Sequence, residues 1–344
     1  MFETIKSGMT KTFRLCGIFF VSASGLIFAR LLFSFLPLSD NVLSWLFSTL
    51  FQVVFLGIIP WLLYRYTVSK PFADFQRDFS FHPKVNPVLY ALALPIGILT
   101  FYLNVGASAV WYTLLNAFGY TYSSSVGTIF SSPEVLIMEI ITTCLFPAFF
   151  EELTNRGLLS GALRGEKNDT AVILLIGMSF GLWHQNVAQL IPTMVGGLVM
   201  AYMAVKCGSI FPGMIVHFLN NFIITRSEYS SQHGGGFYAV YRSVISGLSS
   251  SFLVLLISWF VAAGLLAALL FTFERLGRVE RDRLYPNRPG LESPKKLFDI
   301  FDLSKEEQLP PLAAPAKWEY AFLYVSLAVA ALTTLFTFIW GLLR

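Results

Sequence analysis

The sequence predicts an all-α fold: a polytopic transmembrane helix bundle of about eight to nine spans around a conical or open intramembrane cavity. Three observations predict it. The 344-residue chain is 55% hydrophobic and 13% charged, with a mean hydropathy of +0.65. Apolar runs of about 20 residues, each long enough to cross a ~30 Å hydrocarbon core, recur through most of its length. Inside one of these runs lie three ionisable side chains, Glu151, Glu152 and Arg156. A charge at bilayer depth costs on the order of 3 kcal/mol, so such residues usually face a bundle interior or an aqueous cavity and carry function.

Candidate spans fall at 13–36, 43–64, 87–112, 134–163, 170–188, 190–206, 209–226, 245–273 and 318–342. Residues 86–119 are apolar for longer than one crossing needs and contain Pro87 and Pro95, which leaves two readings, one tilted helix or a helix followed by an interfacial segment. Residues 1–130 therefore hold N-terminal transmembrane helices, 134–226 a polar-bearing core and 245–273 a further span. The stretch 275–317, where six prolines lie among mixed charges, reads as a hydrophilic linker, and 318–344 ends the chain with another span. The loop 227–244 contains Ser230-Ser231-Gln232-His233-Gly234-Gly235-Gly236 and reads as a flexible turn. Lys6, Lys11 and Arg14 precede a first run without a small-residue cleavage site, so that run is expected to be an uncleaved span.

If the spans alternate, nineteen Lys and Arg collect on one side and three on the other. The positive-inside rule then places the N-terminus and 275–317 in the cytoplasm and the C-terminus outside. The net charge of +4 thus reflects topology rather than a nucleic-acid partner. Cys16, Cys144 and Cys207 lie in or beside apolar runs without CxxC spacing, and are expected to be inert buried thiols rather than a disulfide framework or metal site. His82 and His233 fall in loops and are expected to be solvated.

On a helix, Glu152 and Arg156 share a face and can pair, whereas Glu151 is turned about 100° away and has no sequence-near partner. Two more apolar helices carry histidine. Phe180-Gly181-Leu182-Trp183-His184 sets Phe180 and His184 one turn apart, and His217-Phe218-Leu219-Asn220-Asn221 does the same for His217 and Asn221. A lone histidine or asparagine in such a helix is often a packing hydrogen bond of about 0.6 kcal/mol. The set says more than its members. At ~1.5 Å per residue from the cytoplasmic end of each span, Arg156 lies about 12 Å deep, His217 about 14 Å, Glu151 about 19 Å, Asn221 about 20 Å and His184 about 22 Å.

Glycine pairs Gly157/Gly161 and Gly177/Gly181 favour close helix packing, and Pro147 and Pro212 are expected to kink their helices and widen a cavity. Such a set could add water to an amide. Glu151 would be the general base, His184 its assistant, and His217 with Asn221 the donors to the developing oxyanion, while Arg156 keeps Glu152 ionised and fixed. Two histidines and a glutamate also form a set that zinc can use, with water in the fourth position, and the residues alone do not separate the two chemistries. Intramembrane Glu, Arg and His also mark proton paths in transporters, although no inverted repeat flanks them here. A third class is a non-enzymatic membrane regulator or bacteriocin-immunity protein.

Glu151-Glu152-x-x-x-Arg156, Phe180-x-x-x-His184 and His217-x-x-x-Asn221 resemble, in order and spacing, the three motifs of the CAAX protease and bacteriocin-processing family, also called Abi, which includes the type II CAAX prenyl endopeptidases. The resemblance covers about residues 134–226. It implies an intramembrane glutamate-dependent endopeptidase with a cavity open toward the cytoplasm. Carried over, Glu151 is the water-activating base, His184 its partner, and His217 with Asn221 the oxyanion hole. The resemblance implies a peptide or protein substrate, lipidated or not, in contact with membrane lipid. It favours a metal-independent mechanism without a cofactor, zinc being the alternative.

Overall fold

A computed structural model describes residues 10–33, 45–121, 128–166, 168–234, 236–248, 250–286 and 315–343. Lys6, Lys167, Gly235, Arg344 and the 287–314 part of the expected linker lie outside them. Among the described residues there are eleven helices and no strand. In chain order they are α1 (Lys11–Phe33), α2 (Phe47–Ile58 continuing as Ile59–Thr67), α3 (Phe72–Asp78), α4 (Pro87–Ala117) and α5 (Pro133–Ala162). There follow α6 (Asp169–Trp183), α7 (Val187–Cys207), α8 (Phe211–His233), α9 (Gly236–Leu248), α10 (Phe252–Leu284) and α11 (Ala321–Leu342). Helices α1, α2, α4, α5, α7, α10 and α11 are each long and apolar enough to cross a membrane, and the chain is an integral multi-pass membrane protein.

The sequence explains most boundaries. Asn86, Asn168 and Asn186 accept backbone N–H groups at the starts of α4, α6 and α7 through their side chains, and Ser251 does so for α10. Gly208 at φ +72° and Gly234 at φ +69° end α7 and α8 in the left-handed conformation that glycine adopts most readily. Residues 86–119 resolve into a single helix, α4, with Pro95 inside it. Pro212 falls in the first turn of α8, where its missing N–H is not needed, so it starts that helix rather than kinking it.

Other boundaries move. The expected flexible loop 227–244 is largely helical, because α8 runs on to His233 and α9 follows. The span expected at 245–273 begins at Phe252 and continues to Leu284, so the first ten residues of the expected 275–317 linker extend a helix. Arg278 and Arg281 lie buried on that extension, against Glu274 and Asp169, which is why it stays wound. The two expected spans that miss the length or hydropathy of a crossing helix are α6, with 15 residues, and α8. They are the two that carry the histidine motifs.

Helix α7 lies at the centre and packs on α4, α6, α8 and α10, while α1 packs on α2 and α11. Apolar side chains of α10 such as Phe252, Phe260 and Val261 point outward, as expected of a lipid-facing helix. Gly177 and Gly181 let α6 approach α7, since a Cβ at Gly181 would come 2.8 Å from the Leu190 carbonyl. Gly157 and Gly161 instead receive the backbone of Phe79 and Asp78, so this pair seats the end of α3 rather than a neighbouring span.

Candidate functional site

The site is centred on α5, wound in wide π turns over Ile140–Leu145, Pro147–Glu151 and Leu153–Leu159. Pro147, which has no N–H to give the helix ladder, lies inside this region, and π turns recur at functional positions in helices. The expected pair forms in this winding. Arg156 Nη1 donates to Glu152 Oε1 at 2.7 Å, both side chains being fully buried. Its Nη2 donates to the carbonyl of Gly197 on α7 at 3.1 Å, and its guanidinium lies over the ring of Phe180 on α6, 4.1 Å from the centroid. A Cβ at Gly197 would sit 3.1 Å from that ring, so the bare backbone there makes room for both contacts.

Glu152 has a second partner that sequence spacing did not reveal. His217 Nδ1, on α8, lies 2.9 Å from Glu152 Oε1. A carboxylate only accepts, so Nδ1 carries the hydrogen and Nε2 is left to face elsewhere. It faces Glu151, whose Oε2 lies 3.9 Å away. Glu151 keeps 20% of its side chain exposed, while Glu152 keeps none. Glu151 accepts a long hydrogen bond, 3.4 Å, from Gln52 Nε2 on α2.

Two cavities flank this cluster and share Phe180 and His184. The smaller, about 140 Å³, is walled by Glu151, Thr154 and Asn155 of α5, by Gln52 and Leu56 of α2, by Phe19 and Ala23 of α1, and by Trp183. The larger, about 340 Å³, takes His217, Asn220, Asn221 and Ile224 from α8, Asn104 from α4, Met200 from α7 and Tyr241 from α9. The expected single opening is thus divided by the Phe180 ring, whose T-shaped contacts reach His184 at 4.8 Å and His217 at 5.7 Å.

His184 does not lie in mid-helix. Helix α6 ends at Trp183, Gln185 turns the chain with φ +49°, and Asn186 caps α7, so His184 occupies a tight turn with its Nδ1 2.9 Å from the Phe180 carbonyl. Asn221 spends one amide hydrogen on the carbonyl of Thr143 at 2.9 Å, which leaves the other for the larger cavity. Outside the site, His82 is half-buried beside Tyr285 rather than solvated, whereas His233 is exposed. All three cysteines are buried and free.

The spacing of motifs did not expose Gln52, although it is the one amide in the run 43–64 and could have been noticed on that ground. Nor did it expose Asn155 and Trp183. Among the described residues no three His, Cys, Asp or Glu side chains gather where they could hold a metal ion. His217 gives Nδ1–H to Glu152 and turns Nε2 toward Glu151, and the proposed reaction is written with these side chains and water alone.

No curated protein matches the chain, and no solved structure does. The stretch that carries Glu151, Glu152, Arg156, His184, His217 and Asn221, residues 133–223, matches the family described as type II CAAX prenyl endopeptidase Rce1-like, and this similarity supports a protease.

Proposed function

We propose that this protein is an intramembrane endopeptidase that hydrolyses a peptide bond near the C-terminus or leader of a lipidated or membrane-associated peptide, with Glu151 as the general base. One observation carries the reading: among the described residues Glu151 is the only carboxylate lining either cavity, while its neighbour Glu152 is fully buried against Arg156 and His217. One acid is therefore held as structure and the other meets solvent and substrate.

In the proposed reaction Glu151 removes a proton from water as the water oxygen attacks the scissile carbonyl. The same proton passes to the leaving nitrogen as the tetrahedral intermediate collapses to a carboxylic acid and an amine. His184, at the junction of the cavities, helps to orient the water. In the form that carries a hydrogen on both ring nitrogens, His217 donates Nε2–H, and Asn221 its remaining amide hydrogen, to the developing oxyanion. Arg156 and Glu152 hold His217 and Phe180 in place. The family similarity favours a prenylated C-terminal tail as substrate. We place the N-terminus in the cytoplasm, because Lys11, Arg77, Arg164 and Arg283 gather at one end of the bundle through Asp78, the Arg77 carbonyl and the Lys84 carbonyl, and the opening of the site toward the cytoplasm is what the family similarity implies. Labelling of single added cysteines by an impermeant maleimide in intact cells checks this orientation; reaction at the α3–α4 loop from outside would reverse it.

The test uses purified full-length protein with S-farnesylated and unlipidated peptides ending in Cys-aliphatic-aliphatic-X. Wild type should release the terminal tripeptide, and Glu151→Gln and His184→Ala should not, at unchanged expression and unfolding temperature. Equal cleavage by both variants would sink the assignment.

A further inference from the structure

Three polar atoms in the wall of the smaller cavity are buried and have no hydrogen-bond partner among the described residues: Gln52 Oε1, Asn155 Oδ1 and Trp183 Nε1. The chemistry of their neighbours fixes what each can do. Gln52 turns its Nε2 to the Glu151 carboxylate, which only accepts, so Oε1 remains an acceptor. Asn155 likewise gives its Nδ2 to the Glu151 backbone carbonyl at 3.0 Å, so Oδ1 is left as an acceptor. Trp183 Nε1 can only donate. A hydrocarbon ligand would leave all three unmet, at about 1–3 kcal/mol each. A polypeptide backbone, with a donor and an acceptor in every residue, would meet them all.

We propose that the smaller cavity is a peptide-backbone recognition site. In it Gln52 and Asn155 accept N–H groups of the substrate on one side of the scissile bond, and Trp183 donates to a substrate carbonyl. This rests on the endopeptidase reading and adds its substrate register: the backbone on one side of the scissile bond lies between α1, α2 and the α6–α7 turn, and the scissile carbonyl and the apolar part of the substrate reach toward the larger cavity, which His217 and Asn221 line. One of the three, Gln52, comes from α2, outside the segment that matches the family. Gln52 is also a positioning residue for Glu151, since the amide that meets the substrate is the one that holds the base.

The experiment is an N-methyl scan. The full-length protein in lipid nanodiscs is given the S-farnesylated Cys-aliphatic-aliphatic-X peptide and a set in which successive backbone N–H groups are methylated. In wild type, methylation at one or two positions near the scissile bond should raise KM by about tenfold, the worth of one good hydrogen bond to a buried acceptor. Asn155→Leu should raise KM for the parent peptide by a similar factor and cut the penalty at one methylated position to less than twofold. Gln52→Leu should do so at another position and also lower kcat, because Glu151 loses its anchor. Trp183→Phe should raise KM several-fold at unchanged kcat. A wild type that cleaves the parent peptide but shows no methylation penalty, or the same penalty in all three variants, overturns the recognition site while leaving the endopeptidase intact. A wild type that cleaves no peptide at all overturns both.

Discussion

Two buried ionic clusters hold this bundle together, and they differ in what they leave over. In the first, Glu152 is shared by Arg156 and His217, with Glu151 beside them. In the second, near the end of α10, Asp169 meets Lys206 and Arg281, and Glu274 meets Lys206, Arg278 and the hydroxyl of Tyr202. Both contain a glutamate bound to an arginine four residues on. Both bury their charges almost completely. Only the first has a carboxylate in excess, and it lines a cavity of about 140 Å³, whereas Asp169 of the second borders a pocket of about 30 Å³ and is held there by Lys206 and Arg281. Burial of charge within a membrane bundle is therefore not itself a mark of chemistry; an acid left without a strong partner is.

Substitutions can break that comparison, the largest effect coming from the excess acid. Glu151→Gln should lower kcat by about 100- to 10,000-fold, the usual contribution of a general base, with the unfolding midpoint unchanged. Arg156→Met should remove about 3–5 kcal/mol of stability, because it leaves Glu152 buried with its main counter-charge gone. Urea unfolding in detergent micelles measures this, and a loss under 1 kcal/mol would mean that His217 alone suffices. Asp169→Asn in the second cluster should cost about 1–3 kcal/mol by taking the shared carboxylate charge from Lys206 and Arg281, yet leave kcat within twofold. A kcat that fell with it would join the two clusters into one functional unit.

The smallest effect concerns pH. Burial, and then the charges of Arg164 and Arg283, push the His82 imidazole down from its ordinary 6.5 to about 4. The unfolded chain therefore takes up this proton first as pH falls. The stability that neutral His82 contributes is fully present above about pH 6.5 and is lost progressively as pH falls toward 4. His82→Gln should flatten the unfolding profile in that window. An unaltered slope would show that the ring is solvated after all.

Much of the site was legible because its motifs obey helical spacing. Glu152 and Arg156, Phe180 and His184, and His217 and Asn221 each fall four apart, which brings side chains to one face whatever the rest of the chain does. The second cluster was illegible for the opposite reason. Its members come from α6, α7 and α10, and composition alone assigned Arg278 and Arg281 to a linker because prolines and mixed charges follow them. The His217–Glu152 contact, 65 residues apart, was hidden in the same way. The turn at His184 was missed because Asn186 and Gln185 interrupt an apolar run that hydropathy treats as continuous.

Arg156 touches α5 through Glu152, α6 through Phe180 and α7 through Gly197, and reaches α8 through the shared glutamate. During biogenesis these helices enter the membrane one after another, and α8 arrives last of the four. Until it docks, Glu152 lacks His217, and Glu151, the proposed water-activating acid, lacks the His217 imidazole across from it. Proteolytic competence should thus appear only at the end of assembly, which spares a nascent chain and its neighbours from premature cleavage. Ribosome-stalled intermediates released before and after residue 233 would show whether activity appears at that step or earlier.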